Sequence, residues 1–222
     1  MSSKLVLTQD DSHTLYSEKY KAHYHSIFGS IEESVHVFVS AGLYHLTRTG
    51  HKSLSIFEMG LGTGLNAYLS YLEATALGIS IDYHAIESDP ITLEDAISLN
   101  YPELLGHKGD PFIGMHKAEC GKRQILNDLF SLTKIKGHLE EYDHQVNYDL
   151  IYFDAFSPSS QAQLWQHEVH KPLYDALNIG GCLVTYCSKG SFRRMLIDLG
   201  YSIEKLNGPG KKREMLRATR LV

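Results

Sequence analysis

Ser53–Asn66 reads SLSIFEMGLGTGLN, and the fold turns on this stretch. Leu54, Ile56 and Phe57 make a short apolar run that ends in Glu58. Gly60, Gly62 and Gly64 then alternate ahead of a segment with helical periodicity. The order is strand, tight turn, helix. Glycines at this spacing keep side chains off the turn, where unpaired N–H groups at a helix start face outward and can hold a ligand. Working outward, Ile81–Ile86 reads as a second strand ending in Glu87. The apolar run Tyr148–Phe153, YDLIYF, is typical of a strand covered on both faces. It ends in DAFSP, so Asp154 stands at the C-terminal end of a central parallel strand, where open α/β sheets bind ligands, and Pro158 enforces a loop.

Two ligands use a strand, a glycine turn and an acidic residue closing the next strand: a dinucleotide and S-adenosylmethionine. A dinucleotide turn asks for G-x-G-x-x-G. This one is E-x-G-x-G-x-G, the pattern of class I methyltransferases, and it favours S-adenosylmethionine. The predicted cofactor-binding set is Glu58, Gly60, Gly62, Gly64, Asn66, Glu87 and Asp154, with Glu87 placed to accept hydrogen bonds from both ribose hydroxyls. The plainer alternatives are a glycine turn without a ligand, a buried ion pair for Glu87 and loop capping for Asp154.

A length of 222 residues suits one α/β domain. Residues 1–30 read as an N-terminal hairpin or lid and residues 31–222 as the main domain. A formal charge of −5 argues against a uniformly basic coat but says nothing about local patches. Cys120, Cys182 and Cys187 make no metal-like pair, and their odd number suits a reduced compartment; with no signal-peptide profile and no run of ~20 apolar residues, the chain reads as cytosolic. The thirteen histidines lack a completing carboxylate or cysteine at ligand spacing, so no metal site is expected.

KLVLTQ and HTLYSE alternate weakly, as a small hairpin does. Tyr20, His23, Tyr24 and His25 follow, and their rings either roof a ligand pocket or pack a lid on the core. Ser30 with Glu33 reads as a capping box that starts a buried helix running to about Thr47. The helix after the glycine turn stops at Gly78. Pro90 is placed first in the next helix with Asp89 as its cap, and Phe112–His116 reads as a third strand. AECGKR after it would lie near an adenine. From Ser131 to Asn147 the pattern dissolves, with an inserted strand or hairpin as the only suggestion. LWQHEVHKPLYDAL reads as a helix ended by Gly180 and Gly181, CLVTYCS as the fifth strand, Phe192–Leu199 as a helix, and Tyr201–Leu206 and Glu214–Leu221 as closing strands.

FEMGLGTGLN, DAFSPSSQAQLW, TYCSKGSFRR and the closing GPGKKREML together resemble the methyltransferase domain of the MnmC family, the bifunctional tRNA 5-methylaminomethyl-2-thiouridine biosynthesis proteins. The resemblance covers nearly the whole chain. It implies an α/β, Rossmann-like class I methyltransferase fold, a mostly parallel seven-stranded sheet with an N-terminal cap. It also implies S-adenosylmethionine-dependent methylation of the aminomethyl nitrogen of a modified wobble uridine in tRNA. Family members carry a second, FAD-dependent oxidase domain that makes the amine. The length here leaves no room for one, so the expectation is a stand-alone methyltransferase and a separate enzyme supplying the amine.

The implied chemistry needs a neutral amine lone pair in line with the methyl group, so Asp154 is the predicted catalytic residue, accepting an N–H bond and stabilising the charge that grows on nitrogen. Tyr152, Tyr186 and His25 are unranked proton acceptors. From Lys189 onward nine basic residues face three acidic ones, a local excess of about six. Lys189, Arg193, Lys211, Lys212 and Arg213 are the predicted tRNA contacts. A polyamine aminopropyltransferase or small-molecule N-methyltransferase is the enzymatic alternative. It is disfavoured because only one acidic residue stands near the motif and the tail is basic. A non-catalytic nucleotide-binding adaptor is the alternative of another class.

Overall fold

A computed structural model describes residues 4–210 and 213–222. The N-terminal segment forms a three-stranded antiparallel sheet of β1 (Lys4–Leu7), β2 (His13–Ser17) and the short β3 (Ala22–His23), so the expected hairpin gains a third strand. One continuous helix follows in three parts: α1 (Ser30–Ser34), a π-helical stretch Val35–Leu43, and α2 (Tyr44–Arg48). Its position agrees with the sequence, but the capping box does not form. Gly29 occupies the cap, Ser30 Oγ donates to His13 O (3.1 Å), and Glu33 Oε2 accepts from Ser26 N (2.9 Å). The π segment lies flat on the sheet because Gly42 has no side chain; a Cβ there would stand 3.0 Å from Leu150 Cδ1.

β4 (Ser53–Met59) leads through the glycine turn into α3 (Leu65–Leu77), which Gly78 ends in the left-handed conformation (φ 64°). β5 (Ser80–Glu87) follows. α4 (Leu93–Ser98) starts later than the sequence suggested, with Thr92 as its cap: Thr92 Oγ1 accepts from Asp95 N (3.0 Å), whereas Asp89 N donates to Glu87 Oε1 (2.9 Å). After α5 (Tyr101–Leu104), the segment expected as the third strand is instead α6 (Asp110–Lys117). Pro111 sits at its N-terminus and Phe112 and Met115 share a buried face, a three-residue spacing that suits a helix. The strand in question is β7 (Phe130–Lys136), inside the segment that resisted placement, preceded by the antiparallel edge strand β6 (Arg123–Asn127). AECGKR connects α6 to this edge strand.

β8 (Tyr148–Phe153) coincides with the apolar run YDLIYF. α7 (His167–Ala176) ends at Ala176, not at the glycines, because β9 (Leu177–Thr185) already begins there and runs through Gly180 and Gly181. Gly180 takes φ 82°, and a Cβ on Gly181 would come within 2.8 Å of Asp149 O, so the backbones meet there. α8 (Gly190–Asp198), β10 (Tyr201–Asn207) and β11 (Glu214–Arg220) complete the chain.

The main sheet has eight strands in the order β10-β11-β9-β8-β4-β5-β7-β6, one more than expected because of β6. β9, β8, β4, β5 and β7 are parallel, and β11 is antiparallel to β9 and β10. The chain leaves β4 toward β5 and β7, then returns to build β8 and β9 on the other side. The switch between β4 and β8 opens a crevice at the strands' C-terminal ends. Phe38, Tyr68 and Tyr152 fill the core on one face, and Phe57, Phe153 and Trp165 fill it on the other. No helix among the described residues is long and apolar enough to cross a membrane.

Candidate active site

The crevice is held together by backbone. Asp154 N donates to Met59 O (3.1 Å) and Gly60 N to Ile86 O (3.0 Å), tying the ends of β4, β5 and β8. Gly60 (φ 86°) must be glycine, since a Cβ would stand 2.8 Å from Asp154 O. Gly62 N donates to Glu87 Oε2 (3.0 Å), so Glu87 clamps the turn with one oxygen and the loop after β5 with the other. Burial raises the Glu87 carboxyl above its ordinary value, against the hydrogen bonds from Asp89 and Gly62.

A cleft lies over this turn, lined by Gly60, Gly62, Glu87, Asp154, Tyr24 and Phe156 among others. Its roof comes from the N-terminal segment. Tyr20 stacks on Phe156 at 4.6 Å, Tyr24 meets the same ring edge-on at 5.2 Å, and a Cβ on Gly62 would stand 2.9 Å from Tyr24 Cδ1. Of the four rings that the sequence singled out, Tyr20, Tyr24 and His25 line this cleft, while His23 packs on Tyr16. The DAFSP loop is fixed from behind: Phe156 N donates to Gln161 Oε1 (3.0 Å) and Trp165 Nε1 to Phe156 O (2.9 Å).

A second, more open cleft adjoins the first and shares Tyr24, His25, Asp154, Ala155 and Phe156 with it. Glu33 and Tyr186 belong to its wall. Two acidic residues, Glu33 and Asp154, thus line this cleft. The Tyr186 hydroxyl donates to Ala155 O (2.7 Å). Burial raises that phenol well above its ordinary value, and the Asp154 and Glu33 charges add to the effect, so it stays neutral. Of the three proton acceptors considered, Tyr152 is fully buried on the sheet face beneath Phe38 and away from both clefts. His25 lines both, with Nε2 2.7 Å from Thr63 Oγ1.

Three members of the predicted cofactor set stand behind the cleft wall. Glu58 is fully buried. Burial lifts it well above the carboxylate range, opposed by the hydrogen bond from Asn66 and reinforced by the Asp154 charge. Asn66 Nδ2 donates to Glu58 Oε1 and to Asp154 Oδ2, both at 2.9 Å. Gly64 is covered by His116, whose Nε2 lies 3.1 Å from Thr63 O and would stand 2.9 Å from a Cβ on Gly64.

Among the predicted tRNA contacts, Lys189 caps α8 just beyond Tyr186, Arg193 is half-buried on the same helix and Arg213 is exposed. Lys211 and Lys212 lie outside the described residues. Three of the basic residues behind the local excess are engaged within the fold: Lys205 pairs with Glu214 (3.0 Å), Arg217 with Glu204 (2.8 Å), and Arg220 donates to the carbonyls of Tyr174, Asp175 and Leu177.

A family model described as S-adenosyl-L-methionine-dependent methyltransferase matches residues 110–221. The chain is similar to the tRNA 5-methylaminomethyl-2-thiouridine biosynthesis bifunctional protein MnmC of Idiomarina loihiensis, 28% identical over 210 residues, covering 87% of this chain and 34% of that protein. The same-named protein of Vibrio cholerae serotype O1 is 29% identical over 240 residues, covering 96% and 35%. The chain thus spans about a third of the length of these relatives. Among solved structures, MNMC2 from Aquifex aeolicus shares the fold with a TM-score of 0.78 at 21% identity, over 98% of this chain and 70% of that one. A putative class I S-adenosylmethionine-dependent methyltransferase from Listeria monocytogenes shares it with a TM-score of 0.53 at 13% identity, over 93% and 62%.

Proposed function

The chain belongs to the family described as S-adenosyl-L-methionine-dependent methyltransferases, and from that premise we propose that it methylates the primary amine of an aminomethyl group on a modified wobble uridine in tRNA. The observation that carries this is the place of Asp154, which lines both clefts. One cleft has a glycine floor, an aromatic roof and the Glu87 carboxylate; the other is open and carries Glu33 and Asp154.

The first cleft fits S-adenosylmethionine. Gly60 and Gly62 carry no side chain into its floor, a Cβ at Gly62 would meet the Tyr24 ring of its roof, and Glu87 stands where a nucleoside diol is held. The cofactor supplies a methyl group on a sulfonium. Everything else is asked of the protein. An alkylamine with an ordinary pKa of about 10.4 is mostly protonated at neutral pH, and reaching the free base costs about 4–5 kcal/mol. Asp154 does not lower that cost, since a carboxylate favours the ammonium form. It accepts an N–H bond that aims the lone pair, and stabilises the positive charge that develops as the amine is alkylated. The amine proton leaves to water or to His25, which borders both clefts.

The tRNA substrate is supported by the names of the relatives and by the disposition of the basic residues. Lys189 follows Tyr186 at the C-terminal edge of the sheet. Gly208 N donates to Arg213 O (3.2 Å), Gly210 packs near Phe28, and His36 Nε2 lies 2.7 Å from Asn207 O, so residues 207–210 flank the cap next to Glu33. The relatives give no support to the aminopropyltransferase alternative. The test is partition of labelled methyl from S-adenosylmethionine among tRNA bearing the aminomethyl group, the same tRNA without it, and spermidine. Label in the first alone is expected. Label in spermidine, or equally in both tRNAs, would sink the proposal.

A further inference from the structure

Asn66 is 2% exposed, lies in the first turn of α3 and has no part in the lining of either cleft, yet one nitrogen of it touches two carboxylates. An amide between two carboxylate oxygens has to present its NH2, because the flipped orientation sets oxygen against oxygen. Its rotation is therefore determined by Glu58 at the end of β4. The bonds to Met59 O, Gln161 and Trp165 fix the backbone of the loop that carries Asp154. The bond from Asn66 fixes the carboxylate itself.

We propose that Asn66 is a positioning residue for methyl transfer: its amide sets the rotation of the Asp154 carboxylate at the junction of the two clefts, and Glu58 locks the amide in the orientation this requires. The proposal rests on the role assigned to Asp154 above. Glu58 Oε1 and Asp154 Oδ2 lie within twice 2.9 Å of each other through the shared nitrogen, a separation at which the Asp154 charge makes ionisation of the fully buried Glu58 costlier still. Fully buried Glu58 carries the proton and remains an acceptor toward Asn66. The negative charge then resides on Asp154, at the cleft.

The test combines Asn66→Ala, Asp154→Ala and their double variant, with turnover and S-adenosylmethionine affinity measured on each. Asn66→Ala should lower kcat by about ten- to a hundredfold, the scale of a misplacement of up to an ångström, with cofactor affinity within about twofold of wild type. In the Asp154→Ala background it should lower kcat no further. Independent, multiplying losses, or a loss of cofactor affinity that accounts for the loss of rate, would overturn the proposal. If Asn66→Ala does not fold, Glu58→Leu reads the same lock: it should lower turnover about ten- to a hundredfold with cofactor affinity within about twofold of wild type, and lower it no further in the Asp154→Ala background, whereas wild-type turnover or independent, multiplying losses would overturn the proposal. Should wild-type protein fail to methylate the amine-bearing tRNA, the functional proposal fails, and the positioning role is still read by carboxyl carbon NMR. Loss of the Asn66 bond should raise the titration midpoint of Asp154, and an unmoved midpoint refutes the contact's importance.

Discussion

Gly62→Val acts on the residue where the turn, the roof and Glu87 meet. Its φ of 51° costs a non-glycine residue about 1–2 kcal/mol. The new Cβ would stand 2.9 Å from Tyr24 Cδ1, well inside the ~3.5–4.0 Å optimum for carbon contacts, so the ring must swing and give up its edge contact with Phe156. For a chain of this size ~1–2 kcal/mol corresponds to a thermal midpoint lower by about 2–8 °C, so the variant should still fold. Binding suffers more, because the valine methyls occupy the cleft floor. A loss of cofactor affinity of at least about a hundredfold, or ~2.7 kcal/mol, is expected by isothermal titration with S-adenosylmethionine. Gly62→Ala shares the backbone strain and the first carbon but lacks the two methyls, and should fall between the two proteins. Wild-type affinity in a folded Gly62→Val protein would refute the assignment of this cleft to the cofactor.

Asp154→Ala should lower the methyl-transfer rate by about a hundredfold or more while cofactor affinity stays close to normal; near-normal turnover would return Asp154 to a purely structural role. Glu58 links stability to pH. Its folded carboxyl is raised above the unfolded value of about 4.3, so the native state keeps a proton that the unfolded state has lost. Stability therefore falls as pH rises from that unfolded value toward the folded one, by at most about 1.4 kcal/mol per unit. Glu58→Gln should flatten this slope in thermal melts between pH 5 and 8, and parallel curves for the two proteins would contradict the buried neutral acid. His170 works in the opposite direction, since burial holds it down to about 3: it contributes stability that is present above the unfolded histidine pKa near 6.5 and is lost as pH falls toward 3. Removing this buried neutral histidine should reduce the acid-side loss of stability, and an unchanged acid limb in a folded His170→Gln protein would count against it. Reversing charge at Lys189 and Arg193 should weaken tRNA binding and reduce its salt slope by about one unit per lost phosphate contact, with cofactor affinity unaffected; equal binding and slope would place the RNA elsewhere.

The parts of this fold that were legible in the sequence are those set by local constraints. β8 shows as Tyr148–Phe153 because burial on both faces leaves no polar interruption, and α3 shows its end because Gly78 alone supplies the left-handed stop. β7 was hidden by its lysines. Phe130, Ser131 and Leu132 are buried, but Lys134 interrupts the pattern, and only the fold shows why it is tolerated: its Nζ reaches His116 O. α6 was mistaken for a strand because its buried face holds just Phe112 and Met115, too few to display the helical period. At the site, Gly60, Gly62, Glu87 and Asp154 were accessible from strand ends and turn spacing. The placement of Glu58 and Asn66 behind the wall was not, since the Asn66–Asp154 bond joins residues 88 apart. Glu33 reads as a capping residue, and nothing local to it announces that helix and lid bring it to the wall of the second cleft, which Asp154 also lines. Gln161 and Trp165 were within DAFSPSSQAQLW, but their hold on Phe156 is a property of the folded loop.

The central claim is that methyl goes from S-adenosylmethionine to an exocyclic amine on tRNA. Nucleoside mass spectrometry addresses it directly: tRNA from a strain that accumulates the 5-aminomethyl nucleoside is incubated with the protein and cofactor, digested, and the fragments sequenced by mass. This nucleoside should disappear in favour of one heavier by a single methyl, with the added mass on the aminomethyl side chain and no other nucleoside changed. A methyl found on a ring atom, a ribose or another base, or an aminomethyl nucleoside left intact beside a protein that binds the cofactor, would contradict it.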